Sequence, residues 1–295
     1  MNTKQLSRAG EFIIEKGIIC CGVATIAIVL FIFIFLLNDA LPIFKTNTLW
    51  QLISGRDWYP VPDEVFGMLP LILGSALVTV GAIVIGVPIA VASAIFIGEV
   101  ATPRVRELLK PAVEVLAAIP SVVIGFIGLA LLAPLLQKTM NLNTGQCALT
   151  GAIMLAFMSM PTIITISEDA LHAVPQDYKA AAYALGATRW QTIIGVLVPA
   201  ARSGILAGIM LGIGRAVGET MTVLMVTGNA AVMPTNIQSI LAPVRTLTAT
   251  IAAEMGETDR YGAHYPALFM VGAILFVITF TINLVADLAL RQNRK

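Results

Sequence analysis

Two stretches of this chain are too long without a charge to belong to a water-soluble fold. Ile18–Leu37 runs for 20 residues with no Asp, Glu, Lys or Arg, and Val65–Gly98 is uncharged throughout. About 20 residues of helix cover the hydrocarbon core of a bilayer. The composition agrees: 58% of residues are hydrophobic and 12% are charged, against roughly 25% charged in soluble domains. A net charge of +1 provides no field to attract nucleic acid. The three cysteines, Cys20, Cys21 and Cys147, all lie in apolar runs, and only two histidines occur. That pattern suits packing rather than a disulfide framework or a metal centre.

The pattern predicts an all-α polytopic membrane protein with six transmembrane helices. The expected spans are Ile18–Leu37, one within Val65–Gly98, Val115–Leu136, one within Thr139–Ser167, Ser203–Thr227, and Pro266–Ala286. The first is too long for a signal-peptide core and reads as a span. Lys and Arg set the orientation. The N-terminus, the 99–114 loop, the 168–202 loop and the C-terminus carry three each, whereas the opposite side has Lys45, Arg56, Lys138, Arg245 and Arg260 over longer loops. Both termini are therefore expected in the cytoplasm. On the outer side, Trp50, Trp58 and Tyr59 with Pro60 and Pro62 suit an interfacial cap, and Glu254, Glu257 and Asp259 read as a solvated acidic face.

The 168–202 loop has strong local design. Pro175 can open a helix over Asp177–Leu185, which Gly186 would end in a left-handed C′ conformation. Thr188 then starts a capping box with Gln191, and the second helix, about Arg189–Val198, is expected to stop before Pro199. Two short helices at a sharp turn make a rigid knob.

AAYALGATRWQTIIGVLVP (181–199) resembles the EAA loop of ABC-importer permeases. In that motif Glu-Ala-Ala is followed, after three residues, by Gly and later by an Ile-x-Leu-Pro end. Ala181, Ala182, Gly186, Val196, Val198 and Pro199 occupy matching positions, while Ala180 stands where the Glu belongs. EVLAAIPSVVIGFIGLALLAPLL (114–136) and GIMLGIGRAVGETMTVLMVTGNA (208–230) are similar to the PstC-type permease of phosphate-specific importers. The resemblance implies a type I ABC importer permease fold, with the knob as the coupling helix that fits an ATPase; Asp177, Ala181, Ala182, Gly186 and Pro199 would form it. It implies a transport subunit that is not itself an enzyme and lies in the inner membrane. Its partners would be a second, paralogous permease subunit, two copies of an ABC ATPase and an extracytoplasmic phosphate-binding protein. No G-x-x-x-x-G-K-[ST] occurs, so ATP would be used in trans and this chain would bind no cofactor. The expected division is residues 1–66 (N-terminal segment, first span, outer loop), 67–287 (permease core) and 288–295 (basic tail).

Arg215 and Glu219 sit at i,i+4 inside the fifth expected span. A charge at mid-bilayer costs roughly 2.5–3.5 kcal/mol on insertion scales. The small residues Gly204, Gly208, Gly212, Ala216 and Thr220 repeat every four positions, which marks close helix packing and directs the pair away from lipid. The pair is read either as a buried bridge pinning helices or as part of a phosphate path, with Arg215 offering a fork of donors and Glu219 accepting the P–OH proton. Thr220, Thr222, Ser121 and Asn229 are secondary polar candidates. Ser121 follows Pro120, where a helix break is expected, and Pro88 and Pro161 are expected to bend their helices. Alternatives are an ABC permease for molybdate or sulfate, or a secondary anion transporter.

Overall fold

The computed structural model describes residues 3–292. The first span belongs to α1 (Thr3–Ala40), followed by a 3-10 turn at Leu41–Lys45 and the short α2 (Leu49–Ser54). A two-stranded antiparallel ladder, β1 (Trp58–Tyr59) and β2 (Val65–Phe66), leads into α3 (Leu69–Ile95), which continues as a π turn through Val100. Next come α4 (Pro103–Ala118), α5 (Ser121–Ile127), a π turn at Gly128–Leu132, α6 (Ala133–Thr139) and α7 (Ala148–His172). The knob comprises α8 (Gln176–Ala184), α9 (Arg189–Thr192), a π turn at Ile193–Leu197 and α10 (Val198–Ala200). The chain ends with α11 (Arg202–Gly218), α12 (Met221–Val226), α13 (Leu247–Glu254) and α14 (His264–Gln292).

Among the described residues five helical segments are long and apolar enough to cross a bilayer; α11, bent 69° from the preceding knob helix, makes a sixth when the two are taken as one span. The centre of the bundle is α7, between α3 and α11. Glycines permit both approaches. A Cβ on Gly81 would lie 2.8 Å from Ala152 Cβ, and one on Gly86 would lie 3.2 Å from the backbone of Ala156. On α11 the small-residue stripe does face α7: Gly204, Gly208 and Gly212 lie against Ala170, Ile166 and Ile163. Lipid cannot drive apolar helices together, so this close packing supplies the association. By contrast α1 packs on α14, stacking Phe33 on Phe276 with centroids 4.9 Å apart, and leaves Ile26 and Phe31 exposed to bilayer.

Several expected boundaries move. The continuous apolar helix of the third span is Ser121–Met140 rather than Val115–Leu136. The last turns of α4 lie beside Pro161 and Thr162 in the middle of α7, and the chain then turns extended at Ile119 and Pro120. This is the break expected at Pro120. Pro88 and Pro161 lie within α3 and α7, which run through them as continuous helices. The second knob helix does not stop before Pro199 but continues to Ala200. The π turn at Ile193–Leu197 widens the backbone just where the proline ring would meet the carbonyl four residues earlier. Pro134 follows the Gly128–Leu132 π turn in the same way.

The outer cap is tied at one carboxylate. Glu254, expected on a solvated face, is mostly buried and accepts hydrogen bonds from Trp58 Nε1 at 3.1 Å and Arg245, with His264 Nε2 2.9 Å away. It thus clamps the β1 loop to α13 and the start of α14. Glu257 and Asp259 are exposed, as expected. Replacing Gly212 with Val should push α11 off α7 by forcing a side chain into Ile163. Overpacking of this kind costs about 1–3 kcal/mol, and a lower melting temperature in detergent would register it; unchanged stability would contradict the packing described.

Candidate functional site

The fifth span is not one helix. α11 ends at Gly218; Glu219 has φ −70° and ψ 132°, and α12 starts only at Met221. Seventeen helical residues reach about 25 Å, short of the roughly 30 Å core, so the interruption lies inside the membrane. Arg215 and Glu219 therefore do not share a helix face, and the expected i,i+4 pair is overturned. Among the described residues Arg215 forms no ion pair: its Nη1 donates to Thr162 Oγ1 on α7 at 3.3 Å. Thr162 is ten residues from the end of α7, about 15 Å along the helix axis, which is mid-bilayer depth.

Glu219 works on the backbone instead. Its Oε1 accepts from the Thr222 N–H at 3.1 Å, and its carbonyl accepts from Thr248 Oγ1 at 2.8 Å. Non-helical backbone in hydrocarbon must find such partners within the protein or in a water-filled cavity. Thr222 is fully buried and donates its hydroxyl to the Ser121 carbonyl at 3.1 Å. Thr220 is half-exposed and its hydroxyl lies 3.4 Å from the Gly218 carbonyl. Gly125 lets α5 close on α12, where a Cβ would come within 3.1 Å of Thr222 Cα. The break at Pro120 and the break at Glu219 are thus stapled together, with Arg215 one turn before the second. Asn229 lies apart, at a positive-φ turn where its carbonyl accepts from Arg245 Nε at 3.0 Å.

The knob is built as its sequence indicates. Gly186 has φ +82°, and the N–H groups of Gly186 and Ala187 donate to the carbonyls of Tyr183 and Ala182 at 2.9 and 3.1 Å, a Schellman ending. Thr188 and Gln191 form the reciprocal capping box. Ala182 is buried, whereas Asp177, Ala181 and Pro199 are exposed, as are Tyr178, Tyr183, Trp190 and Leu185, the last at 90%. An apolar, aromatic ridge this exposed marks a protein interface.

Sequence reasoning missed how the knob is held. Glu99, at the end of the α3 π turn, is 7% exposed and binds Lys179 Nζ at 2.7 Å. Arg189 caps the same end by donating to the carbonyls of Glu99 and, at 3.1 Å, Val100. The signal was faint: one acid in an uncharged run, 80 residues from its partner. It also missed the charges of α4. Arg106 and Lys110 converge on Glu168 of α7, a carboxylate only 2% exposed, with Lys110 Nζ at 2.8 Å.

Five to six apolar crossings among the described residues, a joined pair of helix breaks and a protruding two-helix knob define a polytopic permease subunit. Residues 86–295 match the binding-protein-dependent transport system inner membrane component family, and the chain belongs to that family of inner-membrane, multi-pass proteins. It is 38% identical over 277 residues to the probable ABC transporter permease protein YqgH of Bacillus subtilis, covering 92% of this chain and 86% of that one. It is 39% identical over 258 residues to the phosphate transport system permease protein PstC of Mesorhizobium japonicum, covering 80% and 77%. Among solved structures, a chain of a bacterial alginate-importing ABC transporter aligns with a TM-score of 0.60 at 14% identity, over 98% of this chain and 100% of that one. A chain of the inward-facing MetNI methionine transporter aligns at 0.58 and 19%, over 83% and 97%. These likenesses show the type I ABC importer permease fold.

Replacing Glu99 with Gln should leave Lys179 without its counter-charge and loosen the knob from α3. Breaking such a pair by removing one partner costs up to about 3–5 kcal/mol when fully buried, and less here because Lys179 is partly exposed. Faster proteolytic cleavage within residues 176–200 would show it; an unchanged cleavage rate would contradict this anchoring. Gly186→Val, placing a β-branched residue at φ +82°, should cost about 1–2 kcal/mol locally. In the assembled importer it should raise ATP hydrolysed per substrate carried, and an unchanged ratio would contradict the role of this turn.

Proposed function

We propose that this chain forms one half of the translocation path for inorganic phosphate in an ATP-driven importer. The observation that carries this reading is the Arg215 guanidinium, held at mid-bilayer depth beside two stapled helix breaks with no carboxylate in salt-bridge contact among the described residues. Arginine stays protonated and matches oxyanion oxygens in pairs. Glu219 keeps one carboxylate oxygen on Thr222 N–H, and its second oxygen accepts the P–OH proton of hydrogen phosphate, a contact a fully ionised sulfate lacks. Thr220 lies beside it, while Thr222 and Ser121 hold the breaks rather than the anion. Relatives named as phosphate transport permeases, at 33–39% identity, support the choice over molybdate or sulfate.

The exposed ridge of the knob docks an ABC ATPase, and since one chain has one knob, two permease subunits and two ATPases complete the assembly. The second permease is a paralogue, and an extracytoplasmic phosphate-binding protein delivers substrate. Both termini and the knob face the cytoplasm, in line with the Lys and Arg distribution. ATP is bound and hydrolysed in trans, so the chain is a transport subunit and not an enzyme. Residues 67–287 form the permease core, preceded by the first span and its outer loop, with 288–295 as a basic tail.

Phosphate uptake by cells carrying Arg215→Gln tests the reading, with membrane abundance measured alongside. Uptake should fall at least tenfold, the scale of one lost charge-assisted contact, at normal abundance. Normal uptake would remove Arg215 from the path, and loss of the protein itself would make it a folding residue.

A further inference from the structure

Below Arg215, two helices face each other with polar residues at helical intervals. On α7 these are Thr162, Thr165 and Glu168; on α4 they are Glu114, Lys110 and Arg106, each four residues apart and hence on one face. The two rows meet. Thr162, the hydrogen-bond partner of Arg215, lines a cavity of about 340 Å³ with Glu114, Thr165, Ala117, Pro161 and Ile166. Thr165 also lines a second, water-sized pocket of about 10 Å³ with Lys110 and Glu168, where Lys110 and Arg106 bind the Glu168 carboxylate. Eight residues of α4 separate Glu114 from Arg106, about 12 Å, so the rows descend from mid-bilayer to the inner end of α7.

A carboxylate exposed at the depth of Thr162 is costly against lipid and marks a hydrated path by default. The cavity has room for a small oxyanion with several waters, a water's share of liquid being about 30 Å³. At its lower end the charges are unequal in freedom. Glu168 is 2% exposed and fixed in the wall, whereas the side chains of Arg106 and Lys110 are 27% and 40% exposed. Arg has five N–H donors and Lys three, more than Glu168 and Asp169, 3.6 Å from Lys110, engage here. Donors remain available on the open side.

We propose that this seam between α4 and α7 is the inner half of the anion path, and that Arg106 and Lys110 form a second stop for the oxyanion, with Glu168 as the counter-charge that holds them when the stop is empty. The inference rests on the phosphate-path reading above. The anion moves from Arg215 past Thr162 and Thr165 to the two cations, where competition from Glu168 keeps binding weak enough for release. The same cations could serve the phosphodiester of an inner-leaflet lipid, a source the test separates.

The complete importer, reconstituted in vesicles of phosphatidylcholine and in vesicles with added phosphatidylglycerol, is assayed for ATP-driven phosphate transport. Lys110→Met should slow transport about tenfold in both lipids, Lys110→Arg should stay within about threefold of the parent, and Glu168→Gln, which frees both cations, should slow it much less than Lys110→Met. Equal loss in Lys110→Met and Glu168→Gln would make the cluster a structural clamp and overturn the proposal. So would normal transport by Lys110→Met, or a defect confined to the anionic vesicles. If Lys110→Met does not assemble, Lys110→Cys in a chain with Cys20, Cys21 and Cys147 replaced by alanine gives the same answer. Restoration by a thiol reagent carrying an ammonium group, and none by a neutral one of equal size, supports the stop; equal behaviour of the two reagents refutes it. Arg215→Gln, run in parallel, keeps the two readings apart: its failure beside normal Lys110→Met refutes only the inner stop, while its normal transport refutes the path reading itself.

Discussion

A bilayer core offers no partner to a backbone N–H or C=O, and this constraint shapes the rest of the molecule. A helix satisfies its own polar groups, so each interruption must be closed by other parts of the protein or by water. Here two spans are interrupted, at Ile119–Pro120 and at Glu219–Thr220, and a hydrogen bond joins the two breaks. Thr222 reaches from one break to the Ser121 carbonyl of the other, and Thr248 secures the Glu219 carbonyl from α13. Such an arrangement needs rigid neighbours. The glycine-lined contacts of α7 with α3 and α11 provide them, since small residues let the backbones approach and fix their register.

Charge follows from the same geometry. Arg215 lies just before the second break, and Thr162 links it to the wall of the cavity that Glu114 also lines. Farther along α7, Glu168 gathers Arg106 and Lys110, while Glu99 gathers Lys179 and is capped by Arg189. Both clusters sit between elements distant in sequence. One ties α4 to the centre of the bundle, and the other ties the knob to α3. A force applied to the knob thus has a route to α3 through the ionic contact at Glu99 as well as through the chain into α11.

Much of this was legible in the residues because it is local. The six apolar runs, the positive φ at Gly186, the Thr188–Gln191 capping box and the packing stripe of α11 depend on neighbours within a few positions. The Arg215–Glu219 spacing misled for a physical reason. Nothing in GIGRAVGETM forbids a continuous helix, and the break is stabilised by a local hydrogen bond from Thr222 N–H to the Glu219 carboxylate and a tertiary one from Thr248 to the Glu219 carbonyl. Glu254 misled similarly: an acid between loop residues looks solvated until Trp58, Arg245 and His264 are folded onto it. Pro199 looked like a terminator because the π turn that accommodates it has no strong sequence signature. The α4 ladder stayed hidden because its charges resembled an ordinary cytoplasmic loop.

The central claim is that the break at Glu219–Thr220 borders water inside the membrane. Its most direct test is thiol labelling of Thr220→Cys in the assembled importer, in a chain lacking Cys20, Cys21 and Cys147, with a lipid-facing Val84→Cys as reference. The account predicts that a charged, membrane-impermeant reagent modifies position 220 and that phosphate slows the reaction, while position 84 stays unmodified. Labelling at 220 no faster than at 84 would contradict it.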